Sequence, residues 1–280
     1  LRKTGWVKLY RSQKTFAAGL KEAEALRGFG LGIDTLDEDA LAALEPHLYG
    51  AAGAVHYRDA ASVDGPSRLA QAYANLFISR GGRFVTGDAH SLQEALDGRW
   101  SVATHDGDVN ARDLVVALGP WSDLVYREFG YDIPLAVKRG YHMHYASRDN
   151  AALARPVLDA DNGYVLAPMS QGIRLTTGAE FAHRDAPPTP VQLDRVEPEA
   201  RKLFPLGERL DPKPWMGARP CLPDMLPVIG PAPRHKGLWF DFGHQHHGFT
   251  LGPVCGRLLA EMMTGETPFT DPAPYRAERF

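Results

Sequence analysis

Apolar and polar residues alternate over Gly5 to Arg11 (GWVKLYR), the period-two pattern of a half-buried strand. Ser12 or Thr15 can cap a helix running to Arg27, with Gly28 as its stop. Thr35 and Glu38 have capping-box spacing for a second helix that ends near Leu44, before Pro46. Ala54 to Arg58 predicts another strand. Asp64, Gly65 and Pro66 then open a helix with Leu69, Tyr73, Leu76 and Phe77 on one face, closed by Gly81 and Gly82. Arg83 to Thr86 is again strand-like, and a polar hairpin region follows. The solid apolar run Leu114 to Gly119 (LVVALG) suits a strand buried on both faces, as in a parallel sheet, with a turn at Gly119, Pro120 and Trp121. In open α/β sheets ligands gather at that end of the strands.

From Ile133 the period is two again: Tyr141, Met143 and Tyr145, then Tyr164 to Ala167, then Ile173 to Thr177. A helix over Val191 to Leu203 interrupts. The stretch Trp215 to Ala260 holds an apolar strand (Leu238, Trp239, Phe240, Phe242), a histidine-rich glycine turn (GHQHHG) and a helix with Leu251, Val254, Leu258, Leu259 and Met262 on one side. The pattern predicts a mixed α/β (α+β) chain of two interleaved domains. Residues 1–50 and 136–214 form an antiparallel-sheet lid, and residues 51–135 and 215–280 form a nucleotide-binding unit.

At 280 residues the chain can bury a sizeable core. A formal charge of −3 argues against a nucleic-acid binder, which needs a basic face. No apolar run approaches the roughly 20 residues that span a bilayer, and the first ten residues, LRKTGWVKLY, contain no signal-length apolar segment. These features point to a cytoplasmic protein, with a peripheral contact at the inner membrane left open. Two cysteines, Cys221 and Cys255, make neither a disulfide framework nor a metal set.

His244, His246 and His247 are imidazoles in one turn, but no Cys, Asp or Glu with ligand spacing accompanies them. They line a polar turn that Gly243 and Gly248 permit, or the turn meets an anionic or carbonyl group through the start of the following helix. The second reading is preferred. Arg219, between Gly217 and Pro220 in an apolar context, forms a salt bridge to Asp224 or clamps a substrate carboxylate bidentately. Tyr164 is a core tyrosine or a phenol donor to the same carboxylate. Cys221 is expected to be an inert thiol, and the pairs Asp159/Asp161 and Glu197/Glu199 to be solvated.

LEPHL (44–48), VVALGPWS (115–122), KRGYHMHY (138–145), GARPCLPDMLPVIG (217–230) and GHQHHGFTLGPVCGRLLAEMMTG (243–265) occur in an order that resembles the FAD-dependent D-amino-acid dehydrogenase and glycine/sarcosine oxidase family. The resemblance implies an incomplete FAD-binding, Rossmann-like sheet interleaved with a substrate domain. It implies a cofactor set of Val85, Gly119, Trp121, Gly217, Gly243, His244, Gly248, Phe249 and Thr250. The Gly119–Trp121 turn would lie by the adenine end, and the 243–250 turn and helix start by the flavin ring. Arg219, Tyr164 and His246 are the implied substrate contacts. The implied reaction is oxidation of a carbon–nitrogen bond of a D-amino acid, glycine or N-methyl amino acid, with oxygen or a quinone reoxidising the flavin.

The family opens with a strand–GxGxxG–helix unit that holds the FAD pyrophosphate, and no GxGxxG occurs in this sequence. Gly28, Gly30 and Gly32 follow a helix, which is the wrong context. With Leu1 first, the expectation is a C-terminal portion of a longer oxidoreductase. The alternatives are a non-catalytic fragment or subunit that needs a separate FAD-binding chain, and an unrelated metal hydrolase built on the histidine turn.

Overall fold

The first predicted strand forms at Trp6–Tyr10, and its alternation has a direct cause. Val7 and Leu9 are fully buried, while the Lys8 ammonium turns outward to Glu22 at 2.7 Å. The computed structural model describes all residues, Leu1–Phe280. They fall into two units, one of Leu1–Leu69, Gly140–Glu180 and Pro187–Gly217, the other of Ala70–Arg139, Phe181–Ala186 and Ala218–Phe280. The first boundary lies beyond the predicted residue 50 because the Gly53–Tyr57 strand pairs antiparallel with both Trp6–Tyr10 and Ile33–Leu36. A sheet strand cannot be divided from its ladder without orphaning backbone groups.

The first unit is built on a large mixed sheet. From Ala136–Ser147 the ladder passes through Gly172–Thr176, Tyr164–Met169, Val157–Asp159, Trp6–Tyr10 and Gly53–Tyr57 to Ile33–Leu36. Helix Val191–Leu203, which forms at its predicted bounds, supplies Leu193, Ala200 and Leu203 to the core beside Met143, Tyr145, Leu166 and Leu175. Ser12 caps the Gln13–Arg27 helix by accepting from the Thr15 amide. The second helix is capped by Asp37, which accepts from the Ala40 amide. Thr35 instead sits in the Ile33–Leu36 strand, so the predicted capping box does not form.

Buried charge organises one end of this unit. Asp159 is fully buried and pairs with Arg11 Nε at 2.8 Å. It also accepts from the amides of Asp161 and Asn162 and from Asn162 Nδ2. Arg11 Nη2 in turn donates to the Tyr164 hydroxyl at 3.0 Å. Glu45, 1% exposed, meets Arg155 at 3.0 Å. Glu197 accepts from the Tyr145 hydroxyl and from Arg201 and Arg209. Asp159 and Glu197 are therefore structural acceptors, not the solvated surface groups that their polar sequence surroundings suggest.

In the second unit the Leu238–Phe242 strand lies between Val228–Pro231, antiparallel, and Leu114–Val116, parallel. Its aromatic face packs Phe240 and Phe242 against Tyr126 and Tyr131. The Leu114–Val116 strand ends this sheet. Val115 is 36% exposed, so the run is not buried on both faces as predicted. The polar hairpin appears as Trp100–Thr104 against Gly107–Ala111. Arg83–Thr86 forms no strand, which leaves Val85 in irregular chain. Val254 in the last helix faces outward, and Cys255 takes the inward position beside Leu258 and Leu259.

The Pro66–Ser79 helix forms where predicted, but none of its residues is buried. Tyr73, Leu76 and Phe77 are all exposed. Phe77→Ser should therefore change stability by less than about 0.5 kcal/mol, as for an ordinary surface site. Arg11→Ala strands the Asp159 carboxylate in the core and should cost about 3 kcal/mol. Tyr164→Phe loses one hydrogen bond and should cost about 1 kcal/mol. Urea unfolding midpoints of the three variants check the order; a Phe77 effect as large as that of Arg11 would contradict the exposed helix face.

Candidate functional site

The turn after the Leu238–Phe242 strand is shaped by two backbone positions. Gly243 has φ +84°, and a Cβ there would meet Leu222 Cδ1 at 2.5 Å. Only glycine satisfies both the dihedral and the space. Gln245, at φ +59°, is a non-glycine residue in the left-handed region and is 5% exposed. Its amide donates to Pro220 O at 2.9 Å, and its Nε2 donates to Leu222 O at 3.2 Å. These two bonds fasten the histidine turn to the Trp215–Cys221 strand and its continuation, which brings Arg219 beside the turn.

Helix Gly248–Thr264 leaves the turn with no side-chain cap. The Leu251 amide is the first to close onto the turn, at His247 O, 2.8 Å. The amides of Gly248, Phe249 and Thr250 therefore have no intrahelical acceptor, and they stand at the positive end of the helix dipole. Phe249 and Thr250 are exposed. Such an end suits an anion or an electron-rich carbonyl edge.

The electrostatics around it are cationic. Arg219 is half-buried, and burial holds its pKa below the ordinary guanidinium value. Asp224 is not its partner, because that carboxylate pairs with Arg279 at 2.6 Å. Burial pushes the Cys221 thiol up, against the pull of Lys138 and Arg219. Cys221 is thus a thiol, not an activated nucleophile. His246 is held below the usual imidazole range by burial and by the charges of His247, Arg219 and Lys138, so it is neutral at pH 7.

His244 behaves oppositely. Burial opposes its charge, but Asp241 and then Cys255 outweigh that and raise it to about 9. Its Nε2 lies 3.1 Å from Asp241 Oδ1, although off the axis of a straight hydrogen bond. His244 is thus an imidazolium paired with the strand that precedes it.

The remaining predicted residues lie elsewhere. Gly119, at φ +55°, begins the turn of Trp121, which is half exposed and lines a cavity of about 250 Å³ with Leu118, Leu124, Val125 and His90. Gly217 closes the first unit, and a Cβ there would collide with the Trp215 ring. Tyr164 is 1% exposed and belongs to the core of the first unit. Its hydroxyl is engaged by Arg11, so it is not presented to a cavity as a carboxylate donor.

Arg219, Gly243, His244, His246, Gly248, Phe249 and Thr250 are brought together. Val85 lies in irregular chain, and Tyr164 lies in the core of the first unit. Sequence reasoning missed Gln245, Asp241 and Lys138. The three-residue spacing of Asp241 and His244 was a readable signal, whereas the left-handed Gln245 had none.

The chain matches the sequence model described as FAD dependent oxidoreductase over residues 1–262. It is 32% identical to D-amino acid dehydrogenase 2 of Mesorhizobium japonicum, covering 97% of this chain and 67% of that protein. It is 33% identical to glycine oxidase of Pseudomonas aeruginosa over 62% of this chain and 48% of that protein. The chain thus spans about half to two thirds of these relatives. In structure it resembles glycine oxidase from Geobacillus kaustophilus, with a TM-score of 0.87, 23% identity, and coverage of 99% of this chain and 75% of that one.

The raised His244 predicts a pH dependence. Its folded pKa exceeds the ordinary 6.5, so its stabilisation is complete below that value and is lost as pH rises through about 9. Urea unfolding midpoints should fall over that interval and lose this component in His244→Gln. An identical pH slope in both proteins would show that the ion pair contributes nothing.

Proposed function

Because the chain belongs to the FAD dependent oxidoreductase family, we propose that it forms the substrate-binding and flavin-ring-facing part of an enzyme that oxidises the carbon–nitrogen bond of a small amino acid. Gln245 carries this reading. Its two bonds to Pro220 O and Leu222 O set the Arg219 strand against an uncapped helix start. A guanidinium and a row of free amides at one place suit a substrate carboxylate and an electron-rich cofactor edge together.

The residues present fit FAD at this end, because the Gly248, Phe249 and Thr250 amides have no intrahelical acceptor. FAD, when bound, supplies the two-electron acceptor for the oxidation. Arg219 fixes the substrate by its carboxylate and so orients the carbon that bears the amine. His246, kept neutral, adds no charge against the amine and is free to accept its hydrogen bond. The His244–Asp241 pair holds the turn in register with the strand before it. The product would be an imine that water converts to a keto acid and ammonia or an amine, with oxygen or a quinone as the final electron acceptor.

The pyrophosphate anchor of FAD is proposed to come from outside these 280 residues, either contiguous with them or on a partner chain. The sequence has no GxGxxG. The Leu114–Val116 strand ends its sheet with Val115 exposed, and the apolar helix face at Tyr73, Leu76 and Phe77 is unburied.

In the flavin-loaded protein, Arg219→Lys should raise KM for a D-amino acid or glycine about 10- to 100-fold, the loss of a charged hydrogen bond worth ~1.5–3 kcal/mol. Its visible flavin spectrum and flavin content should be unchanged. Unaltered KM would assign Arg219 to structure, and absence of flavin after supply of a GxGxxG-bearing segment would remove the proposal altogether.

A further inference from the structure

The first unit holds a cluster of polar side chains outside the site described above. A cavity of about 590 Å³ opens there, walled by His142, His144, Arg174, Asp211, Lys213 and Trp215, a size within the range of small-molecule sites. Its position follows from strand alternation. Tyr141, Met143 and Tyr145 of the Ala136–Ser147 strand are buried, so His142 and His144 face the other way. Arg174 lies directly across the ladder from His144.

The polar groups form a directed chain. Asp211 Oδ2 accepts from the His144 amide at 2.7 Å and from His144 Nδ1 at 2.8 Å. Arg174 Nε donates to His144 Nε2 at 3.0 Å. Because Nε2 accepts from Arg174, Nδ1 is the nitrogen that donates to Asp211. That relay spends the Nε edge of Arg174 and locks its plane. The two Nη groups meet no protein acceptor, and the Lys213 ammonium likewise has none. Asp211 cancels one of the two cations, so the cavity carries a net positive charge. His142 adds none: burial and the Arg174 charge depress it to about 4.

The lining also has a flat, apolar part. His142 stacks on Trp215, with ring centroids 4.7 Å apart at 23°, and Pro66, Pro212 and Pro214 add apolar lining. We propose that this cavity is a carboxylate-binding site in which the Nη1/Nη2 edge of Arg174 takes the carboxylate in bidentate fashion and Trp215 packs against a flat or apolar ligand body. A planar fork with one spare edge matches the two oxygens of a carboxylate. Lys213 at the rim steers the anion in. His144 and Asp211 are positioning residues for the guanidinium. This site includes neither Arg219 nor the helix start of the proposed active site.

Benzoate is a suitable probe for the full chain, because Trp215 reports directly by fluorescence. Saturable quenching is expected, with a parallel heat of binding by calorimetry. Arg174→Gln should weaken benzoate at least about ten-fold, the size of one lost charged hydrogen bond, and Asp211→Asn should weaken it less. Trp215→Phe should abolish the quenching while binding heat remains. Circular dichroism melting of each variant separates lost binding from lost fold, and Arg174→Lys, which keeps the charge, should retain part of the affinity.

Arg219→Lys should leave benzoate binding unchanged, which separates this site from the one proposed above. Displacement of benzoate by D-glutamate but not by D-alanine would assign the carboxylate to an amino-acid side chain. No displacement by either would assign it to a separate carboxylate ligand. The proposal is overturned if benzoate does not bind, if Arg174→Gln binds it as well as the parent chain, if Arg219→Lys abolishes it, or if inorganic phosphate competes more strongly than benzoate.

Discussion

The geometry of the candidate site depends on Gln245 and its two hydrogen bonds to Pro220 O and Leu222 O. A turn that connects a strand to a helix has many possible exits. Here the left-handed Gln245 backbone selects one, and its buried amide side chain cross-links that exit to a neighbouring strand. The cost of a non-glycine residue at φ +59° is borne by those bonds. Everything chemically useful follows from that fixation: the position of Arg219, the direction of the Gly248–Thr264 helix, and the short distance from His244 to Asp241. A loop residue with no evident chemistry therefore sets the chemistry of its neighbours.

Charge is handled differently in the two settings. In the first unit, carboxylates are buried and matched: Asp159 with Arg11, Glu45 with Arg155, Glu197 with Arg201 and Arg209. Each pair avoids the cost of a lone ion in a low dielectric, and each uses the remaining oxygens on amides or hydroxyls. Around Arg219, in contrast, burial first, and then the neighbouring His247, Arg219 and Lys138, hold His246 below the usual imidazole range.

The Ala136–Ser147 strand shows how one periodic sequence serves two ends. KRGYHMHY places tyrosine and methionine on the core face and both histidines on the other. The core face holds the strand in register with Gly172–Thr176, and that register alone decides that His144 meets Arg174. A slip of one residue would bury the histidines and expose the hydrophobic face. Packing energy thus secures an alignment that the polar chain from Asp211 through His144 to Arg174 then uses.

Much of this was legible in the chain itself. Alternation in GWVKLYR and KRGYHMHY, the cap at Ser12, the helix over Val191–Leu203 and the strand–turn–helix order of LWFDFGHQHHG each depend on neighbours within a few residues, and local sequence encodes them directly. So did the identity of Arg219 as the cation set among apolar neighbours. What the sequence did not determine were partners far apart along it. Asp224 chose Arg279 over Arg219, Asp159 found Arg11 across 148 residues, and Tyr164 was drawn into that pair. The apolar face of Pro66–Ser79 was written correctly, but only the tertiary structure shows that nothing covers it. Periodicity fixes which face is apolar and which polar, because that depends on bond geometry. Which groups meet across those faces depends on how the whole chain closes, and no local pattern contains it.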